Sequence, residues 1–80
     1  MEGDLQQIVG RNMKAIRMRR GISQESLAEE FGFHRTYLAS IERGERNLSL
    51  RSLERLAAML SIDPLDLLRP LPGSKLRKLR

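Results

Sequence analysis

The 80-residue chain contains no cysteine and a single histidine. Disulfide staples and thiolate metal sites are therefore excluded, and nothing marks an oxidising compartment. His34 has no second histidine or cysteine with which to share a metal, so neither a metal nor any other cofactor is expected. No apolar run approaches the roughly 20 residues of a membrane-spanning helix. No signal-peptide pattern stands at the start, so a cytoplasmic protein with no membrane association is expected. No segment alternates with period two, which removes strands from the reading. A chain of this length makes one domain and buries only about 60% of the surface its unfolded form exposes. Pairing with a second copy is one of the remaining ways to gain buried area.

What the chain does have is positive charge, 15 Lys+Arg against 10 Asp+Glu. An excess of this kind suits nucleic acid or an anionic surface. Its placement matters more than its size. Lys75, Arg77, Lys78 and Arg80 follow Ser74, which leaves 11 basic and 10 acidic groups in residues 1–73. The predicted organisation is one folded domain over 1–69 and a flexible basic tail over 70–80. The tail is a solubilising end or a source of phosphate contacts.

Apolar residues recur at helical spacing almost throughout. Leu5, Ile8, Val9, Met13 and Ile16 mark one face of a first helix, with Asp4 as its N-cap and Gly21 as its stop. Ser23 caps a short second helix with Leu27, Ala28 and Phe31 inward. A third runs from about Arg35 to Arg43 over Leu38 and Ile41. Ser49 caps a fourth carrying Leu50, Leu53, Leu56, Ala57 and Leu60. Asp63 and Pro64 open a fifth with Leu65, Leu67 and Leu68. The fold class is all-α, a compact bundle of five short helices.

Only a few residues separate the second helix from the third, and Gly32 among them can take positive φ. Such a connection forces a sharp angle between the helices. Ala28 permits their close crossing, while Phe33, Leu38 and Ile41 fill the space beneath the corner. Gln24, Ala28, Gly32, Leu38 and Ile41 thus have the spacing of a helix-turn-helix. Residues 12–68 resemble the lambda-repressor-like, Cro-type helix-turn-helix family. The resemblance is carried by RMRRGISQESLAEEFG and by FHRTYLASIERGERNLSLRSLERLAAMLSIDPLDLL. Within that family, RTYLASIERGERNLSLRSLE looks most like the controller proteins of restriction–modification systems. The resemblance implies a homodimer that binds double-stranded DNA at an operator or promoter, with the third helix as recognition helix. It also implies that Gln24 bonds a phosphate and braces the recognition helix, and that Glu42 pairs with Arg17.

The residue chemistry agrees. The N-terminal end of a recognition helix meets base edges first, and that end holds Arg35, Thr36 and Tyr37. Arg35 can donate two hydrogen bonds to guanine O6 and N7, and Thr36 can donate, accept or meet a thymine methyl. Tyr37 can reach a phosphate or lie on a sugar, or else be a half-buried anchor. Ser40, four residues after Thr36, shares its face, and Ala39 could admit a base closely. Ser23, Gln24, His34, Arg43, Arg46, Asn47 and Ser49 are candidate phosphate contacts. Each also has an ordinary reading as a cap or solvated surface residue, and His34 is a weaker cap than Ser or Asp. The leucines after Ser61 are too many for one helix to bury. Ile62, Leu65, Leu67 and Leu68 either close the base of the bundle or form an isologous dimer interface.

These features predict a sequence-specific transcription regulator, repressing by excluding RNA polymerase or activating by touching it. A protein-interaction module of antitoxin or phage-repressor type, binding a partner through its leucines, is the alternative. An enzyme is set aside: catalytic residues are not expected where there is one histidine, no cysteine and no room for a ligand cleft.

Overall fold

The computed structural model describes residues 3–70, so the basic tail beyond Pro70 lies outside the described residues. Five helices follow in order: α1 (Asp4–Arg19), α2 (Gln24–Phe31), α3 (Arg35–Glu42), α4 (Leu50–Leu60) and α5 (Pro64–Leu68). The described residues contain no strand.

The helix boundaries follow the local chemistry closely. Ser23 Oγ accepts from the Ser26 amide and Ser49 Oγ from the Ser52 amide, each at 3.0 Å, so both serines cap as expected. Asp63 caps α5 by accepting from the Leu65 amide at 2.9 Å, with Pro64 in the first turn. Asp4 differs from expectation. Gly3, at φ 89°, holds the cap position without a side-chain bond, and Asp4 lies inside the first turn of α1. Its carboxylate there still suits the positive end of the helix dipole. Gly32 at φ 74° lets the Phe33 amide turn back onto the Ala28 carbonyl at 2.8 Å, closing α2. That conformation is what creates the corner between α2 and α3.

Val9, Met13, Leu27, Ala28, Leu38, Ile41, Leu53, Leu56, Ala57 and Leu67 form one buried cluster. α1 packs on α3 and α5, α2 on α3, and α4 on α5. Three apolar expectations are overturned. Leu5 is 44% and Leu50 79% exposed, both in the first turn of their helices. Leu67, expected at a dimer interface, is completely buried in its own chain. Successive helical residues point about 100° apart, so α5 cannot turn Leu65, Leu67 and Leu68 the same way. Leu65 remains 56% exposed while Leu67 fills the core.

Two packing residues carry no signal in the apolar pattern. Asn12 is 3% exposed, and its Nδ2 donates to the carbonyls of Asp66, Leu67 and Arg69 at 3.2, 2.8 and 2.8 Å. A side chain of α1 thereby satisfies the open carbonyl end of α5. Gly10 is the second: a Cβ there would stand 2.4 Å from the Ile41 carbonyl oxygen and 2.8 Å from that of Glu42. The backbone of α1 thus rests directly on the last turn of α3.

Gly10→Ala sets two effects against each other. Alanine gains about 1 kcal/mol in helix propensity, but overpacking of a close backbone contact costs typically 1–3 kcal/mol. With backbone oxygens as the obstacle, steric cost wins. Urea unfolding should report a net loss of about 1 kcal/mol or more, and a stabilised variant would show that α1 and α3 lie further apart.

Candidate nucleic-acid interface

The α2–turn–α3 corner is held from behind by one polar cluster. Arg17 Nε donates to Glu42 Oε2 at 2.8 Å and Arg17 Nη2 to Oε1 at 3.0 Å. Gln24 Nε2 donates to the same Oε1 at 3.0 Å. Arg17 Nη1 also donates to the Ile22 carbonyl at 2.9 Å. Helices α1, α2 and α3 thus meet at a single carboxylate, and Arg17 ties in the loop between the first two. The Glu42 side chain is only 3% exposed and that of Arg17 13%. The hydrogen bond that Arg17 donates to Glu42 raises the Arg17 pKa above its ordinary value, against the opposing effect of burial. Two parallel N–H···O bonds also fix the relative orientation of the planar groups, which a lysine could not do.

In front of this anchor, Arg35 and Thr36 stand exposed in the first turn of α3. Tyr37 is half-buried. Its ring meets Phe33 edge-on with centroids 5.0 Å apart, and Phe33 meets Phe31 likewise at 5.9 Å. Ser40 donates to the Tyr37 carbonyl at 2.6 Å and accepts from Arg46 Nε at 3.2 Å. The Arg46 guanidinium lies 4.7 Å over the Tyr37 ring. Arg46 is thereby gathered against Tyr37 and Ser40 beside α3. Ala39, expected to face outward, is 7% exposed and packs inward.

The remaining candidates lie around this face. His34 occupies the cap position of α3 without a side-chain bond and is exposed. Its carbonyl accepts from the Tyr37 and Leu38 amides, so its backbone opens the helix. Arg43 forms an exposed pair with Glu45 at 3.0 Å, which lowers the Glu45 pKa. Asn47 is exposed in the loop before α4. Ser23 and Ser49 spend their hydroxyls on capping and on Ser26 and Ser52. What they leave open are the first backbone amides of α2 and α4, donors without intrahelical partners. Such helix starts attract phosphate.

Sequence reasoning placed Arg35 and Thr36 on the exposed face but gave no sign of Asn12, Leu5 or Leu50 as surface- or fold-defining residues. The one trace of Asn12 in the sequence is its place as a polar residue inside the stripe of Val9, Met13 and Ile16. Among the described residues no group of His, Cys, Asp or Glu could hold a metal ion, and no helix is long and apolar enough to cross a membrane.

Removing one partner of a buried ion pair costs about 3–5 kcal/mol, against roughly 0.1 kcal/mol of total stability per residue. Glu42→Ala should therefore cost about 3 kcal/mol or more in urea unfolding. A loss below about 1 kcal/mol would show that the pair does not hold the corner.

Comparison with known proteins agrees with this geometry. The helix-turn-helix family model HTH_3 matches residues 13–67. Control protein C.BamHI from Bacillus amyloliquefaciens is 41% identical over 69 residues, covering 85% of each chain. The crystal structure of the hypothetical transcription factor NHTF from Neisseria superposes with a TM-score of 0.77 at 37% identity, covering 91% of this chain and 84% of that one. The restriction–modification controller protein C.Esp1396I has been solved as a tetramer in complex with its natural 35 base-pair operator. It superposes with a TM-score of 0.66 at 36% identity, covering 79% of this chain and 83% of that one. With the α2–turn–α3 corner, its buried anchor and these matches together, the chain belongs to the helix-turn-helix (HTH_3) family of DNA-binding transcription regulators, and its relatives include restriction–modification control proteins.

Proposed function

We propose that the protein is a homodimeric regulator that reads a palindromic operator by placing α3 in the major groove, as a restriction–modification controller does. The observation that carries the reading is the exposed pair Arg35 and Thr36 at the start of α3, on a helix held rigidly by Glu42. Eight residues make a helix about 12 Å long, and the major groove is about 12 Å wide. Arg35 takes guanine O6 and N7, and Thr36 meets the neighbouring base edge. Tyr37, Ser40 and Arg46 form a second contact group beside them, with the tyrosine ring and guanidinium against sugar, base or phosphate. Gln24, His34, Arg43 and Asn47, with the helix starts at Ser23 and Ser49, grip the flanking phosphates.

Two copies pair through the leucines that the fold leaves outside. Leu5, Leu48, Leu50 and Leu68 line one shallow groove of about 100 Å³, whose lining also includes the core residue Leu53. Leu65, one turn before Leu68 on α5, extends the same apolar surface. Ile62 is half-buried against the core and lines a different cleft, so it does not belong to this groove. The controller structure solved as a tetramer on its operator supports pairing in this chain too. Dimer symmetry sets two recognition helices about 34 Å apart, one turn of DNA. Bound at a promoter in the cytoplasm, the dimer represses by excluding RNA polymerase or activates by touching it. No catalysis is required of it.

Arg35→Ala should cost about 1–3 kcal/mol on the operator and relax discrimination at a single base pair per half-site. Equal losses on operator and random duplex would reject base reading by Arg35. Leu50 is exposed, so Leu50→Glu leaves the fold intact and tests the pairing surface separately. Sedimentation should report a dimer constant weakened at least about tenfold, the 1.4 kcal/mol that one lost apolar contact readily exceeds. An unchanged dimer would move the interface elsewhere.

A further inference from the structure

Asn12 fixes where the chain leaves the fold. Its Nδ2 donates to the carbonyls of Asp66, Leu67 and Arg69, so the end of α5 is pinned against the middle of α1. Arg69 is extended, at φ −88° and ψ 131°, and its side chain pairs with Asp66. The chain therefore departs at Pro70 alongside α1. Pro70 itself lines a cleft of about 440 Å³, together with Ile16 and Arg19 of α1 and with Ile62. Ile16 and Ile62 are only partly buried against the core. An apolar wall thus stands beside the point where the chain continues.

The next ten residues, LPGSKLRKLR, divide into two parts. Leu71, Pro72, Gly73 and Ser74 carry no charge. Lys75, Arg77, Lys78 and Arg80 follow with no acidic residue among them. Leu71 stands between two prolines, and a residue before proline is biased toward extended backbone, which leaves it few directions. The cleft runs from Asn12 to Arg19, about 10 Å along α1. Extended chain from Pro70 to Lys75 covers about 16 Å, so the uncharged spacer carries the first cation past Arg19. That end of α1 abuts the start of α2: Arg17 donates to the Ile22 carbonyl and shares Glu42 with Gln24.

We propose that residues 71–80 are a DNA-binding arm. Leu71 seats in the α1–α5 cleft against Ile16 and Ile62, and Lys75, Arg77, Lys78 and Arg80 reach the phosphates beside the start of α2. The inference rests on the DNA-binding reading and adds an element to it. Residues 1–73 hold 11 basic and 10 acidic groups, so the arm supplies most of the net charge that draws the chain to DNA of any sequence. The cleft gives that charge a fixed origin, and burial of Leu71 there is favoured by the apolar surface it covers.

Two variants of the full chain test this arm. The first combines Lys75→Gln, Arg77→Gln, Lys78→Gln and Arg80→Gln, and its binding to a random-sequence duplex and to one selected from a random pool is followed against salt. Each phosphate contact contributes about 0.9 to the slope of log affinity against log salt, so the slope should fall by at least about two on both duplexes. The second, Leu71→Ser, keeps every charge. It should move the NMR signals of the Ile16 and Ile62 methyls in the free protein. It should also weaken both duplexes at least about threefold, because an unanchored arm loses more freedom on binding. An unchanged slope or unmoved methyl signals would overturn the proposal. Methyl shifts that depend on protein concentration would put Leu71 of a second copy in the cleft and overturn it too. If the slope is unchanged while Arg35→Ala still abolishes discrimination between the duplexes, the arm is rejected and α3 stands as the reader. A chain that binds neither duplex would reject both.

Discussion

The α2–turn–α3 corner depends on the carboxylate of Glu42. It accepts from Arg17 of α1 and Gln24 of α2 while belonging to α3, so three helices are referred to one point. A buried ion pair is often no better for stability than apolar packing. Here its value is geometric. Apolar side chains such as Leu38 and Ile41 keep α3 from leaving the core, but they would tolerate small rotations. A bidentate guanidinium bond does not, and a recognition helix rotated by a fraction of a turn presents different side chains to a base pair. Gly10 adds to this by letting the α1 backbone rest on the carbonyls of the last α3 turn.

The same economy explains how one small domain divides its surface. A helix of one or two turns can bury only one side. In α3 the buried side takes Leu38, Ala39 and Ile41, leaving Arg35 and Thr36 free. In α5 it takes Leu67, leaving Leu65 outside. The exposed leucines of the first turns of α1 and α4 line a shallow groove with Leu68 of α5. An exposed apolar surface on a chain that buries so little of itself is the expected counterpart of a partner. The polar face and the apolar face are neighbours: Arg46 reaches Tyr37 and Ser40 on one side and borders the leucine groove on the other.

Much of this could be read from the residues, because the informative features are local. Caps such as Ser23, Ser49 and Asp63 act within one turn, and Gly32 acts on its own φ, so sequence spacing suffices to find them. The Arg17–Glu42 pair joins positions 25 residues apart and was legible only through the family resemblance. Features that depend on how whole helices dock were not legible. Ala39 could be assigned to either face until the tilt of α3 was known. Leu67 could not be separated from Leu65 in so short a helix. Asn12 serves α5 across more than 50 residues of chain, and Gly10 matters only because α3 ends against it. Asp4 misled because a good capping residue at a helix start is also a good first-turn residue.

If two copies of this chain read DNA through α3, the sequence they bind must carry the symmetry of the pair. Selection of binding sites from a pool of random duplexes tests it most directly. Selection should enrich an inverted repeat whose half-sites are centred about one helical turn, roughly 34 Å, apart, with a guanine at the position met by Arg35. Failure to enrich any sequence, or enrichment of a single motif without its inverted partner, would contradict it.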